Sequence, residues 1–328
     1  MGAGDGLRRP HRAGRSPSSR GGSGLRLLAV VGPTAAGKSA VAERVARVLG
    51  ATLVSVDSMQ VYRGMDIGTA KPDASTRARF DYRMIDLVEP EEPFTVGDYQ
   101  ARGRRELAAL AAADRPVVLV GGSGLHFRSL VDPLRPRPRD PEVAAAVAAT
   151  DPERLAAELL AADPDAGEYV DLANPRRVAR AVEILRLTGE TPSMRARSPE
   201  AAALAAYRPE LPFVGVGIDP GARLADRVAR RLERMLDAGL LDEVAGLAPR
   251  LGPTARQAVG YKELLGVVRG ESTLVEGVAA AQRATVALAR RQRTFFRRDP
   301  RIRWLTWQDD PEATATEVIE IVERAWTS

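Results

Sequence analysis

The chain has 328 residues, 45% of them apolar and 28% charged, with 48 basic against 43 acidic side chains. It has no cysteine, and His11 and His126 are its only histidines, which excludes disulfides, thiolate nucleophiles and Cys- or His-built metal centres. No stretch is apolar enough for long enough to cross a bilayer, so one large or two ordinary globular domains are expected.

Residues 1–24 are rich in Gly, Ser, Pro and Arg and read as a disordered basic arm. Five Arg against one Asp place +4 of the net +5 charge there. With no secretory core, the expected location is the cytoplasm. Residues 27–31 form an apolar strand ending at Gly32, followed by an amphipathic helix over 38–49 and a second strand over 52–56 that ends at Asp57. A further strand is expected over 83–88, a helix over 95–112, and an apolar strand over 117–120 that runs into glycines. This alternation implies a parallel α/β sheet. From 138 to 208 the chain is Ala-rich and helical, the pattern of an inserted helical subdomain between two parts of the core, 25–137 and 209–328. The sheet resumes over 213–219, long helices follow at 221–238 and 273–297, and a last strand is expected over 303–307.

Gly32-Pro33-Thr34-Ala35-Ala36-Gly37-Lys38-Ser39 fits a phosphate loop, with a strand before it and a helix after it. Its amides and the helix N-terminus suit a di- or triphosphate, Lys38 can reach a terminal phosphate, and the Ser39 hydroxyl suits Mg²⁺. The fold class is therefore a phosphate-loop NTPase-like parallel sheet carrying an all-helical insertion. Asp57 should emerge at the same sheet edge, either to hold Mg²⁺ through water or to act as a general base. Arg223, Arg227, Arg230, Arg231 and Arg234 follow helical spacing. Residues 283–303 carry eight Arg and one Asp, interleaved with Phe295 and Phe296, a pattern suited to RNA phosphates and bases.

The motifs 32–39, 57–62 and 66–72, then 121–125, 260–264 and 289–297, occur in an order that resembles the tRNA dimethylallyltransferases, also called tRNA isopentenyltransferases. All three lysines of the chain, Lys38, Lys71 and Lys262, fall within these motifs. The resemblance implies transfer of a dimethylallyl group from its diphosphate to N6 of adenosine 37 in tRNAs reading codons that begin with U. It implies that Gly32, Thr34, Ala35, Ala36, Gly37, Lys38, Ser39 and Arg231 hold the diphosphate, with Mg²⁺ at Ser39, and that Asp57, Thr34 and Arg231 are catalytic. The anticodon stem-loop would meet Asp57, Ser58, Met59, Gln60 and Ser123, then Arg176, Arg177 and Arg180 of the insertion. It would also meet Arg290, Arg291, Gln292, Arg293, Phe295 and Arg297. Ala144 and Val286 replace arginines usual in the family, which keeps an adenylate acceptor in play as a rival. A phosphate-loop nucleotide kinase is a more distant one. A monomer is expected.

Overall fold

The computed structural model of the chain describes residues 25–327, so the expected basic arm at 1–24 lies outside the described residues. Among the described residues, β1 (Leu27–Val31), β2 (Thr52–Val56), β3 (Tyr82–Arg83), β4 (Val117–Gly121), β5 (Val214–Gly217) and β6 (Ile302–Trp304) form one sheet. Its order is β3-β2-β4-β1-β5-β6, with every pairing parallel. Helices α1 (Lys38–Leu49), α2 (Ala74–Arg79), α3 (Val96–Ala112) and α4 (Gly124–Val131) follow β1 to β4 in turn.

The period of two in a strand divides β1 between two cores. Leu28 and Val30 pack with Val41 and Val45 of α1, whereas Leu27, Ala29 and Val31 pack with Tyr99, Leu107 and Phe127 of α3 and α4. Both faces of the sheet are thus covered, as an all-parallel sheet requires. The register places Gly121 opposite both Val31 and Val56. Gly32, Asp57 and Gly122 therefore leave the sheet side by side at its carboxyl edge.

Between β4 and β5 lie α5 (Pro141–Ala148), α6 (Pro152–Ala162), α7 (Ala166–Tyr169), α8 (Pro175–Thr188), α9 (Pro192–Ala196) and α10 (Pro199–Ala205). Five of the six open on proline behind a capping side chain, from Asp140, Asp151, Asn174, Thr191 and Ser198. Proline at that position loses no helix hydrogen bond, and the cap oxygen satisfies an otherwise orphaned N–H. These helices share a cluster of their own built on Val147, Leu155, Leu159, Val178 and Val182. The chain continues through α11 (Leu224–Asp237), α12 (Leu240–Leu247), α13 (Tyr261–Val268) and α14 (Leu274–Arg297) to β6 and α15 (Pro311–Thr327).

The strand expected over 83–88 is cut to Tyr82–Arg83. Met84 (φ 63°) and Asp86 (φ 52°) leave the extended region, because the Asp86 carboxylate is drawn to Lys71 Nζ (2.6 Å) and Arg77 (2.5 Å). Val88 keeps only an isolated bridge to Tyr62.

Candidate active site

β1 runs directly into Gly32, where φ is 141° and a Cβ would lie 2.1 Å from the Ile218 carbonyl oxygen. Only glycine fits there. The chain turns through Ala35 (φ 61°) and Gly37 (φ 94°) into α1, which begins with no side-chain cap and no acidic residue in its first turn. Its first N–H groups and the positive end of its dipole are thus free to meet an anion. Ala35 is held in its left-handed conformation from outside the loop. Arg227 Nε donates to the Ala35 carbonyl at 2.8 Å, while the same guanidinium lies over the Trp307 ring and pairs with Asp309 at 3.0 Å.

Lys38 is buried, and its Nζ donates to the Pro33 carbonyl at 2.6 Å, folded back on its own loop. Burial, with Arg231 adding to it, brings the ammonium down to about 7 against a weaker opposing pull from Asp57. Arg231 is lowered from its ordinary value by desolvation, Asp57 opposing and Arg234 assisting. It has no hydrogen-bond partner among the described residues. Two desolvated cationic groups crowded together, with Asp57 opposing the burial of both, make a cavity that is stabilised by an entering anion.

Three connected spaces meet here. An open cleft of about 780 Å³ lies between α1 and α11 and is lined by Gly37, Lys38, Ser39, Arg227, Arg231 and Arg234. An inner cavity of about 160 Å³ takes in Lys38, Asp57, Gln60, Gly122 and Gln292. A third, of about 90 Å³, is walled mainly by apolar groups, among them Val228, Leu232, Met235, Leu240 and Leu288. Arg231 lines all three, and Thr34 and Asp57 stand at the junction of the two smaller ones. Asp57 Oδ1 accepts the backbone N–H of Met59 (2.8 Å) and Gln60 (3.4 Å), which fixes the carboxylate and leaves Oδ2 without a hydrogen bond among the described residues. Arrangements of this kind can bind a diphosphate, seat a small apolar group and accept a proton.

The residues expected to meet RNA separate into groups. Met59, Gln60 and Gln292 line the cavities. Gln60 is turned inward: its Oε1 accepts from Ser55 Oγ (2.7 Å), and its Nε2 donates to the Thr69 (3.1 Å) and Ala70 (3.3 Å) carbonyls. Gln292 reaches from α14 to accept the Thr34 amide at 2.8 Å. Ser58 is partly exposed beside Asp57, and Ser123 Oγ pairs with His126 Nδ1 at 2.7 Å. Burial pulls that imidazole down to about 4, leaving it neutral. Arg176, Arg177, Arg290 and Arg291 are exposed. Arg180 is tied to Glu183 (2.8 Å) and the Arg137 carbonyl (3.0 Å), while Arg293 (2.7 Å) and Arg297 (3.4 Å) converge on the buried Asp219. Phe295, 38% exposed, sits edge-on to Phe296. Val286 packs on Leu224 and Val228 and closes an apolar seam between α11 and α14.

Sequence reading missed two groups at the site. Arg227 was one of several arginines on a helix face, and its hold on Ala35 spans 192 positions. Glu43 lines the inner cavity and accepts from the Tyr82 hydroxyl at 2.8 Å, with no local motif to mark it.

The family model described as IPP transferase matches residues 60–299. A protein of Streptomyces griseus named tRNA dimethylallyltransferase is 41% identical over 315 residues, 93% of this chain and 98% of that one. One of the same name from Moorella thermoacetica is 41% identical over 308 residues, 87% and 90% of the two chains. Among solved structures, the full-length tRNA isopentenylpyrophosphate transferase of Bacillus halodurans matches with a TM-score of 0.64 and 32% identity, covering 91% and 97%. A eukaryotic dimethylallyltransferase acting on tRNA shares the fold at a TM-score of 0.69 and 21% identity, covering 87% of this chain and 74% of that one.

Proposed function

The chain belongs to the IPP transferase family, the tRNA dimethylallyltransferases, and from that premise we propose that it moves a dimethylallyl group from dimethylallyl diphosphate to N6 of adenosine 37 in tRNA. The observation that carries this reading is the meeting of Thr34, Asp57 and Arg231 between a cationic cleft and a small apolar pocket. A phosphoryl-transfer site needs no apolar pocket at its reacting end; an allylic diphosphate needs both.

The diphosphate lies against the loop 32–37 and the N-terminus of α1, between Lys38 and Arg231, with the five-carbon chain in the pocket of about 90 Å³. The donor set suits Mg²⁺, a hard cation that takes oxygen ligands and substrate phosphates. Ser39, in the first turn of α1 and lining the cleft, would hold it, and the ion would supply positive charge to the leaving group. The adenine leaves the anticodon stack to enter the inner cavity, as modification of a stacked base requires. N6 attacks C1 of the dimethylallyl group, the C1–O bond breaks, and diphosphate departs with the electron pair. The N6 proton passes to Asp57, whose orientation is set by the Met59 and Gln60 amides. Lys38 and Arg231 stabilise the charge growing on the diphosphate, and Thr34 faces the bridging oxygen. Arg176, Arg177, Arg290 and Arg291 bind the phosphates of the anticodon stem-loop, with Phe295 offering a face to a base. The enzyme works in the cytoplasm as a monomer.

Labelled dimethylallyl diphosphate and Mg²⁺ are offered with tRNA carrying an A36-A37-A38 run, or with AMP. Label is expected in the tRNA alone. Label confined to AMP would make the chain an adenylate dimethylallyltransferase, and ATP turnover without any label would make it a kinase.

A further inference from the structure

Two stretches that mark the family, 66–72 and 260–264, contribute no group to this chemistry. Glu243, in the first turn of α12, joins them. Its Oε2 accepts the backbone N–H groups of Asp66 (2.9 Å) and Ile67 (2.8 Å), and its Oε1 accepts that of Gly68 (3.0 Å). The Tyr261 hydroxyl also donates to Oε1. Burial, then the hydrogen bond to Glu243, pushes the Tyr261 phenol far above its ordinary value, so it remains a donor at any working pH. Its ring lies against Gly68 so closely that a Cβ there would be 2.4 Å from Cε2. One carboxylate thus gathers four charge-assisted hydrogen bonds, the strong class.

The far end of the same loop is fastened as well. The buried Lys71 Nζ donates to the Tyr62 carbonyl (2.8 Å), to Asp66 (2.7 Å) and to Asp86 (2.6 Å). The segment 66–71 therefore cannot move as a flexible loop does.

The segments tied to Glu243 are walls of the smallest cavity. Gly68 and Thr69 come from the fastened loop, Leu240 from the start of the helix that carries Glu243, and Gly260 from the residue before Tyr261. At about 90 Å³ this space is the smallest of the three, and its mainly apolar walls suit a short branched chain. We propose that Glu243 is a positioning residue that fixes these walls and so sets the length of allylic chain the enzyme accepts. The proposal rests on reading the site as one for dimethylallyl diphosphate.

The test compares wild type, Glu243→Gln and Tyr261→Phe for binding of dimethylallyl diphosphate, geranyl diphosphate and inorganic pyrophosphate, each with Mg²⁺. Glu243→Gln leaves part-buried backbone donors unmatched and should weaken dimethylallyl diphosphate about tenfold. Geranyl diphosphate, which wild type should reject, should now bind, while pyrophosphate, held by the loop 32–37, Lys38 and Arg231 and not by the walls tied to Glu243, should change by less than about twofold. Tyr261→Phe keeps the ring on Gly68 and should shift the alkyl ligands in the same direction by about threefold, which covers the case of a Glu243 variant that does not fold. Equal loss for pyrophosphate and dimethylallyl diphosphate would overturn the proposal, as would unchanged alkyl binding in the variants that fold. Wild-type binding of pyrophosphate without dimethylallyl diphosphate would bring down the functional reading and this role together.

Discussion

Arginine serves two regions of this molecule in opposite states. In the cleft between α1 and α11, Arg231 is desolvated, Arg227 is fixed to the Ala35 carbonyl, and Lys38 joins them with its ammonium lowered to about 7. On the outer face of α14 and at the start of α8, Arg290, Arg291, Arg176 and Arg177 stand in solvent. A desolvated charge with its geometry already set interacts strongly with the one anion that fits, and losing it damages a single step badly. An exposed charge contributes little alone, is screened by salt, and acts as one of many. The two regions should therefore differ in the size of each residue's effect, in its dependence on salt and in the step it alters.

The sharpest break falls at Asp57. Asp57→Ala should lower the single-turnover rate by roughly 10²–10⁴-fold. Dimethylallyl diphosphate affinity should stay close to wild type, since the carboxylate faces the nucleophile. A rate within about threefold of wild type would remove Asp57 as the base. Next in size is Arg231→Ala, for which a loss of about 10²–10³ in turnover is expected. Raising the salt from low to physiological should leave that ratio unchanged, in contrast to any variant on α14.

Lys38 offers a test by pH. Its amine is lowered to about 7 in the empty site, and a bound diphosphate must raise it again. Above pH 7 the empty protein lacks the proton that the complex holds, so binding takes up a proton. Affinity should then fall with rising pH, at a limiting slope of about tenfold per pH unit between pH 7.5 and 9. Calorimetry in buffers of different ionisation enthalpy counts that proton directly, and Lys38→Met should abolish the uptake. The linkage to folding has the opposite sign: the unfolded chain binds a proton at Lys38 that the empty native site does not, so native stability gains from this group as pH rises from about 7 towards 10.

The diphosphate side was the more legible of the two in sequence, for a physical reason. The loop 32–39 is a local motif: glycines where the backbone must turn sharply, a Lys retained in an Arg-rich chain, and a strand and helix on either side. Asp57 follows from the same logic, as the residue leaving the neighbouring strand. What the sequence hid was carried by side-chain partners that only the folded chain brings together. Gln60 and Gln292 sit in stretches that resemble RNA-contacting ones, yet both turn inward: Gln292 meets Thr34 across the fold, and Gln60 meets Ser55 and Thr69, near in sequence but facing it only once β2 and the loop 66–71 are in place. The strand expected over 83–88 failed likewise, to Lys71, a residue more than ten positions away that claims Asp86. Glu243 gave no signal at all, being one more acidic residue in the first turn of a helix.

The RNA side supplies the smallest expected effects and the cleanest contrast. Arg290 and Arg291 are neighbours on the exposed face of α14, whereas Arg293 and Arg297 on the same helix are committed to Asp219. Arg290→Ala and Arg291→Ala should each weaken tRNA binding about fivefold near physiological salt and flatten the slope of log affinity against log salt by roughly 0.7–0.9. Turnover at saturating tRNA should be unchanged. Arg293→Ala should behave differently: its loss strips a partner from a buried carboxylate, so thermal stability should fall more than the salt slope. If Arg293→Ala flattens the slope as much as Arg290→Ala does, the ion pair with Asp219 opens to admit RNA, and the division between fixed and free arginines on α14 does not hold in the complex.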